Sequence, residues 1–150
     1  MQTLKHKVLN YYKQQVQDKE DAFRDMIAAL TEDASNDAKG SAGDKHETAL
    51  SMMHLEQEKL NKKLHEILDQ KTVLEKIDGN AVTTKVAMGS LVKANTMYLF
   101  VSAALPKITV DGNTILALSP QAPLGTKIMG MQLGDDFEIS GTKYIIENIV

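Results

Sequence analysis

Two apolar series with a seven-residue spacing constrain the fold of this chain more than any other feature of its sequence. The members of the first series are Leu9, Val16, Phe23 and Leu30, and those of the second are Met53, Leu60, Ile67 and Leu74. A seven-residue repeat places its members on one side of a helix, where they form the seam of a coiled coil. The sequence therefore predicts two long amphipathic helices that pack along these seams.

Neither predicted helix contains a helix-breaking residue. Residues 1–39 and 44–78 include no proline and no glycine. Each segment can therefore run unbroken for about 30 residues, or roughly 45 Å at a rise of about 1.5 Å per residue. We expect an antiparallel helical hairpin over residues 1–78. A four-helix bundle formed by two copies through the same stripes is the alternative.

Further residues are expected to widen or interrupt the two stripes. Tyr12 and Met26 fall in the row next to the first apolar series. Lys19, Gln57 and Lys71 are polar residues in or near the seams. Polar residues at such positions typically set the register between two helices rather than bind a ligand.

The sequence changes from a helical to a strand-like pattern near residue 80, just after Gly79. We expect strands at residues 86–92, 97–103, 107–110, 114–118, 137–140 and 143–149, and one short helix at residues 123–130. Asp111-Gly112 and Gly141 are turn signals that favour hairpins. The pattern of residues 79–150 therefore predicts a small mixed β domain with one helix. The predicted fold class of the whole chain is α+β.

Composition excludes several classes of function. The chain of 150 residues has no cysteine, which excludes a cysteine-based zinc or thiol site. Arg24 is its single arginine, and its net charge is −3, so autonomous nucleic-acid binding lacks its usual basic surface. No window approaches the roughly 18 apolar residues of a membrane span, and the N-terminus does not resemble a signal peptide. We therefore expect a cytoplasmic protein.

Two carboxylates mark the segment between the predicted helices. Asp44 and Glu47 stand three residues apart, directly after Gly43. This is the spacing of a capping box, in which both acids bind backbone N–H groups at a helix N-terminus. The connection at residues 31–43 is longer than the 2 to 5 residues, roughly, that a helical hairpin needs, and Mg²⁺ often takes one or two carboxylates alongside phosphate oxygens. The sequence therefore allows two interpretations of Asp44 and Glu47, a helix cap and a metal site that another protein completes.

Two segments of the chain match longer sequence patterns. Residues 43–49, Gly-Asp-Lys-His-Glu-Thr-Ala, are similar to a pattern of the type Gly-Asp-Leu-x-Glu-Asn-Ala. Residues 122–135, Ala-Pro-Leu-Gly-Thr-Lys-Ile-Met-Gly-Met-Gln-Leu-Gly-Asp, are similar to Ser-Pro-Leu-Gly-x-x-Leu-Leu-Gly-x-x-x-Gly-Asp. With these two motifs the chain resembles the Gre transcript-cleavage factors, a family of transcription elongation factors that bind bacterial RNA polymerase. The resemblance implies a coiled-coil hairpin over residues 1–78 and an FKBP-like, polymerase-docking domain over residues 79–150.

The resemblance also implies a mechanism. In this family the C-terminal domain docks on RNA polymerase, the hairpin enters the secondary channel, and two tip acids assist a catalytic Mg²⁺ that cleaves backtracked RNA. Asp44 and Glu47 would be that catalytic, metal-assisting pair, with the Mg²⁺ shared with the polymerase and not bound tightly by this chain alone. The residues expected to dock on the partner are Ser119, Pro120, Pro123, Leu124 and Gly125.

The implied partners are RNA polymerase and, only within that complex, the nascent RNA 3′ end and indirectly DNA. The chain would stimulate the RNA cleavage of the polymerase rather than act as an enzyme by itself, and it would be a monomer when active. No membrane partner is expected.

The tip departs from the family pattern at several positions. Lys45 stands where leucine is usual, Thr48 where asparagine is usual, and Ser51-Met52 where a Tyr-His pair is usual. These differences favour an alternative, a secondary-channel regulator of RNA polymerase that does not stimulate cleavage. A coiled-coil interaction module unrelated to transcription, with the tip acids as a plain helix cap, is the remaining alternative.

Overall fold

The computed structural model describes the backbone of residues 3–40 and 44–150, and the side chains of residues 3–33 and 47–150. Two long helices precede six strands and one short helix. The elements are α1 (Leu4–Gly40), α2 (Asp44–Glu75), β1 (Leu91–Ala94), β2 (Met97–Val101), β3 (Ile108–Val110), β4 (Asn113–Leu118), α3 (Pro123–Ile128), β5 (Asp136–Ile139) and β6 (Thr142–Ile149). The fold class is α+β, as the sequence predicts. No described helix contains a stretch long and apolar enough to cross a membrane.

The chain divides into two compact units. The first comprises Met1–Gln14 together with Thr72–Val150, and the second comprises Gln15–Lys71. The first unit therefore holds the strands together with the beginning of α1 and the end of α2. The second unit holds the long middle parts of both helices. The predicted change from helix to strand near residue 80 lies inside the first unit.

Within the second unit, α1 and α2 run antiparallel. Gln57 of α2 donates a hydrogen bond to Thr31 Oγ1 of α1 at 3.1 Å, and the Lys71 ammonium contacts Glu20 at 2.8 Å. Side chains that recur every three and four residues are buried or half-buried along both helices. They are Val16, Glu20, Phe23, Ile27 and Leu30 on α1, and Met53, Gln57, Leu60, Leu64, Ile67 and Lys71 on α2. This spacing is the one that a heptad pattern requires.

One sequence-based assignment within the first stripe is wrong, and one buried position of the stripe was not predicted. Met26, expected beside the seam, is 50% exposed, and its neighbour Ile27 takes the half-buried position. Glu20 is the polar residue buried in this stripe, and Lys19, expected in the seam, is half-buried beside it. Steps of four and three residues in alternation, starting at Val16, lead to both Glu20 and Ile27. A strict step of seven residues misses them, because it follows only one of the two rows of side chains that form the seam.

A network of charges surrounds Glu20 in this seam. Arg24 Nε lies 2.7 Å from one carboxylate oxygen of Glu20, and Lys71 Nζ lies 2.8 Å from the other. Hydrogen bonds from Lys71 and Arg24 lower the pKa of the Glu20 carboxyl, while its burial acts in the opposite direction. The Glu20 side chain is only 9% exposed, so a shift of register that removed Lys71 would leave a nearly buried carboxylate with one cation fewer.

We expect Glu20→Gln to destabilise the protein at neutral pH, because the amide keeps the volume of the side chain but loses both ion pairs. Since the folded pKa of Glu20 is lowered, the stabilisation is complete above the ordinary carboxyl pKa of about 4 and is lost as the pH falls through the lower folded pKa. The difference in melting temperature between wild type and variant should therefore be largest near neutral pH and shrink in acid.

Glu66→Gln is the matched control for Glu20→Gln. Glu66 is half exposed and contacts Lys63 at 3.6 Å, so its loss should change the melting temperature little. Equal melting curves for wild type and Glu20→Gln at pH 7 would contradict the assignment of Glu20 to the seam.

The first unit is built on a mixed, six-stranded sheet. The strand order is β3-β4-β2-β1-β6-β5; β2 and β4 run parallel, and the other neighbours run antiparallel. The turn at Asp111-Gly112 has φ values of 51° and 77°, and the turn at Ser140-Gly141 has φ values of 50° and 84°. Two consecutive positive φ values are typical of the type I′ hairpin turn. Both hairpins confirm the sequence-based prediction.

The strand predicted at residues 86–92 is wrong in its first half. Gly89 has a φ of 88°, and Ser90 Oγ accepts a hydrogen bond from the Ala87 N–H at 2.9 Å. Residues 86–90 therefore form a turn, and β1 begins only at Leu91. The apolar residues of this segment suggested a strand, but the conformation of Gly89 and the side-chain bond of Ser90 end it.

Both faces of the central strands are buried. One face packs against α3 through Ile128, and its other core residues are Val86, Val92, Ala94, Leu99, Val101, Leu118, Phe137, Ile146 and Ile149. The opposite face includes Leu91, Phe100 and Ile115, each at most 1% exposed. Burial on both faces explains why β2 and β4 read as nearly continuous apolar runs.

The beginning of α1 contributes to this second buried face. The ring of Tyr12 stacks on Phe100, with centroids 6.0 Å apart and planes 8° from parallel. Its hydroxyl donates a hydrogen bond to the Pro106 carbonyl at 2.7 Å. Val8 and Leu9, one turn earlier in the helix, are also buried. The first turns of α1 are therefore part of the core of the sheet unit.

We expect Tyr12→Phe to lower the free energy of unfolding by about 1 kcal/mol, because the aromatic packing remains while the hydrogen bond to the Pro106 carbonyl is lost. Burial raises the pKa of Tyr12 to about 12. Since the unfolded tyrosine ionises near pH 10, roughly, the contribution of Tyr12 is complete below that pH and falls as the pH rises towards the folded pKa.

An alkaline titration measures the raised pKa of Tyr12 directly. The tyrosinate absorbance of wild type minus that of Tyr12→Phe should give a transition near pH 12. A difference curve with its midpoint at the ordinary tyrosine pKa, together with equal urea stability at pH 7, would show that Tyr12 is not buried in this way.

Candidate functional site

The two predicted tip acids lie at the beginning of α2. Asp44 is the first residue of that helix, and Glu47 lies in its first turn with an exposed side chain. The side chain of Asp44 is outside the described part of the chain, and so is the capping box predicted for this pair. Among the described side chains, no group of three His, Asp or Glu residues is placed to hold a metal ion. A shared Mg²⁺ site at the tip remains a prediction.

The part of α2 that follows the tip carries exposed apolar side chains. Met52 is 66% exposed and Leu55 is 59% exposed. Residues three apart on a helix are neighbours on its surface, so the two side chains form one small apolar patch. Thioether and aliphatic side chains in such a patch suit contact with a partner whose surface is not defined in advance.

The residues predicted to dock on a partner surround the beginning of α3. Pro123 is exposed at its first position, Ser119 and Pro120 are half-buried in the preceding turn, and Leu124 is half-buried against the core. The Ser119 carbonyl accepts a hydrogen bond from the Ala122 N–H at 3.1 Å. The structure thus brings the predicted residues together in one turn-and-helix element.

Gly125 has a packing role in this element. It is buried, and a Cβ added to it would overlap the carbonyl oxygen of Ser119 and lie 2.9 Å from Cα of Pro120. Both neighbours are backbone atoms, which cannot move aside as a flexible side chain can. The glycine therefore lets α3 approach the turn that precedes it.

A groove of about 310 Å³ lies beside α3. Pro123, Leu124 and Lys127 form one side, and residues 138–140 at the end of β5 form the other. Lys127 Nζ donates a hydrogen bond to the Glu138 carbonyl at 2.8 Å, so the cation lies at the rim and satisfies a carbonyl of the edge strand. The groove combines apolar and charged groups, which is a suitable arrangement for a side chain of a partner protein.

One buried charge was missed by the sequence-based analysis. Lys5 of α1 is only 3% exposed, and its ammonium donates a hydrogen bond to the Ala81 carbonyl at 2.6 Å. Burial lowers the pKa of Lys5, and the negative charge of Asp78 opposes that change. Lys5 stands three residues before Val8 and four before Leu9, which places it on the buried side of α1. That spacing was the available signal.

Comparison with known sequences adds no relative. No protein-family model matches the chain, and no curated protein matches it. The resemblance to the Gre factors therefore rests on the two motifs at residues 43–49 and 122–135 and on the order of the structural elements.

We expect Gly125→Ala to lower the free energy of unfolding by about 1 to 3 kcal/mol, because the added methyl group overlaps backbone atoms. Thr126→Ser, at the next and exposed position of α3, keeps its hydroxyl and should stay within about 0.5 kcal/mol of wild type. Urea unfolding followed by circular dichroism measures both. A Gly125→Ala protein as stable as wild type would disprove the close approach.

Proposed function

We propose that the chain is a Gre-like transcription elongation factor. It binds RNA polymerase, inserts the tip of its helical hairpin into the secondary channel, and stimulates Mg²⁺-dependent cleavage of backtracked RNA. The observation that carries the proposal is the combination, in one chain, of two motifs. The tip motif at residues 43–49 lies at the beginning of α2, the second of two long antiparallel helices, and the motif at residues 122–135 lies in the sheet unit.

The dimensions of the helices support this proposal. The parts of α1 and α2 that belong to the second unit, residues 15–40 and 44–71, have 26 and 28 residues, which corresponds to about 40 Å at a rise of about 1.5 Å per residue. The antiparallel contacts and the half-buried heptad positions support a coiled-coil hairpin, with Glu20 and Lys71 as the register-setting pair. A hairpin of this length can carry a pair of acids into a channel that a compact domain cannot enter.

The chemistry proposed for the tip is metal assistance. Asp44 and Glu47 are one helical turn apart at the beginning of α2, and the Glu47 carboxylate is exposed. Two carboxylates can hold a Mg²⁺ only weakly, since this ion retains several waters and needs further oxygen ligands. In the proposed complex the polymerase and the RNA phosphate supply those ligands. The Mg²⁺ would lower the pKa of a bound water and stabilise charge on the leaving oxygen.

The proposed docking surface is the element around the beginning of α3. Ser119, Pro120, Pro123 and Leu124 would contact the polymerase, with the neighbouring groove receiving one of its side chains. Gly125 is buried and acts by holding the preceding turn against α3. We assign residues 79–150 to an FKBP-like domain as part of this proposal. The docking surface belongs to this domain, which remains outside the channel. The protein would act as a cytoplasmic monomer.

A second function, regulation of the secondary channel without cleavage, is favoured by the side chains next to the tip. Lys45, Thr48 and Ser51-Met52 replace residues that are usual in cleavage factors. Met52 and Leu55 form an exposed apolar patch, where a protein contact is more suitable than a contact with RNA phosphate. Such a regulator would occupy the channel and would leave cleavage unchanged.

The deciding experiment is RNA cleavage in backtracked elongation complexes of a bacterial RNA polymerase with Mg²⁺. We expect the protein to accelerate cleavage and Asp44→Asn/Glu47→Gln to reduce that acceleration by about a hundredfold, because each lost carboxylate removes stabilisation of the metal and of the transition-state charge. The variant should still compete with wild type for the polymerase.

Glu56→Gln/Glu58→Gln is the matched control, since both residues are exposed acids further along α2. It removes the same charge and should leave the acceleration intact. Full acceleration by the tip variant would overturn the metal-assisting role. Binding of wild type without any acceleration would favour the non-cleaving regulator, and absence of binding would reject a role at the polymerase.

A further inference from the structure

We propose that the sheet unit binds a small organic monocarboxylate in a cavity beside Lys5. This site is separate from the tip and from the α3 groove. It is formed by residues of the first compact unit alone, and it does not depend on the proposed action on RNA polymerase.

The cavity has a volume of about 280 Å³. The beginning of α1 forms one wall, residues 79–82 form a second, and the sheet contributes a third through Leu91, Tyr98 and Asn148. A space of this size is at the small end of ligand sites, which are typically about 300 to 1,000 Å³. It suits a single ring or a short aliphatic chain with one head group.

Lys5 supplies an unusual charge to this cavity. Its side chain is almost fully buried, and an ammonium group has three N–H donors. Among the described residues, the Ala81 carbonyl is the one hydrogen-bond acceptor of Lys5, and no described carboxylate forms an ion pair with it. Asp78, the acid whose charge acts on Lys5, instead accepts a hydrogen bond from the Asn80 N–H at 2.9 Å. The buried ammonium therefore has donors to spare.

A monocarboxylate fits these donors. A buried cation is costly unless an anion or further hydrogen-bond acceptors compensate it. A carboxylate in the cavity would accept the remaining N–H bonds of Lys5, and those charge-assisted bonds are stronger than bonds between neutral groups. The hydroxyl of Tyr98 and the amide of Asn148 are further donors among the lining side chains.

The other lining residues favour a ligand whose part beyond the carboxylate is apolar. Leu4, Val82 and Leu91 are apolar lining residues, and burial of apolar ligand surface against them is favourable at about 25 cal/mol per Å². Two other titratable side chains line the cavity, Tyr98 and His6, and His6 shares a hydrogen bond with Thr3 at 2.8 Å through Nδ1. With Lys5 as the one lysine or arginine in the lining, a monoanion with an apolar body is preferred over a multiply charged phosphate.

The probe is benzoate, and benzamide is its neutral counterpart of nearly equal shape. Each is titrated into the ¹⁵N-labelled full chain without polymerase. We expect saturable changes in the amide resonances of residues 79–82 and of Lys5 and His6 with benzoate, and affinity weaker by about tenfold or more with benzamide, since the charge-assisted bonds to Lys5 are lost.

Lys5→Met is the second test, because methionine retains much of the side-chain volume and removes the charge. It should weaken benzoate binding by about tenfold or more while the melting curve confirms a folded protein. If this variant does not fold, the comparison of benzoate with benzamide on wild type decides alone. No saturable change with benzoate, equal affinity for the two compounds, or undiminished binding by folded Lys5→Met would each overturn the proposal.

Discussion

The burial of the first turns of α1 on the sheet is the contact on which the rest of the structure depends. The sheet has two apolar faces, and only one of them is covered by α3. Phe100 belongs to the other face, where Tyr12 stacks on it and bonds the Pro106 carbonyl. Without the helix, Phe100 would lose this cover, and exposure of a large apolar side chain costs about 1.5 to 3 kcal/mol. The first turns of α1 and the sheet therefore share one core, even though the sequence pattern assigns them to different segments.

The second constraint is the register of the helices in the other unit. Apolar seams alone permit several registers, because leucine, isoleucine and methionine can replace one another at the contact with small changes in packing. Glu20 removes this freedom, since its nearly buried carboxylate needs the cation of Lys71. The bond between Gln57 and Thr31 agrees with the same register. The register of the two helices determines where the beginning of α2 lies along α1. The position of Asp44 and Glu47 therefore depends on the ion pair between Glu20 and Lys71, which is more than twenty residues away from them in the sequence.

Much of this fold could be predicted because its signals are local. The heptad spacing predicts α1 and α2, and Asp111-Gly112 and Gly141 predict two hairpins. The errors concern contacts between distant parts of the chain or conformations that several residues determine together. Lys5 is buried because residues 79–82 lie over it, and Gly89 turns the chain where an apolar run suggests a strand. Of the candidate site, the grouping of residues around α3 is local, whereas the proposed metal site at the tip acids would be completed only by a partner.

The two motifs that resemble the Gre factors differ in what they imply physically. In the motif around α3, Gly125 is required by a close backbone approach, and Leu124 packs on the core. A match at such positions is explained by packing, so it indicates the fold more than the activity. Glu47, in contrast, is exposed and contributes nothing to the described core. An exposed acid can serve chemistry at a partner, so Asp44 and Glu47 carry the proposed chemistry, whereas the motif around α3 indicates the fold.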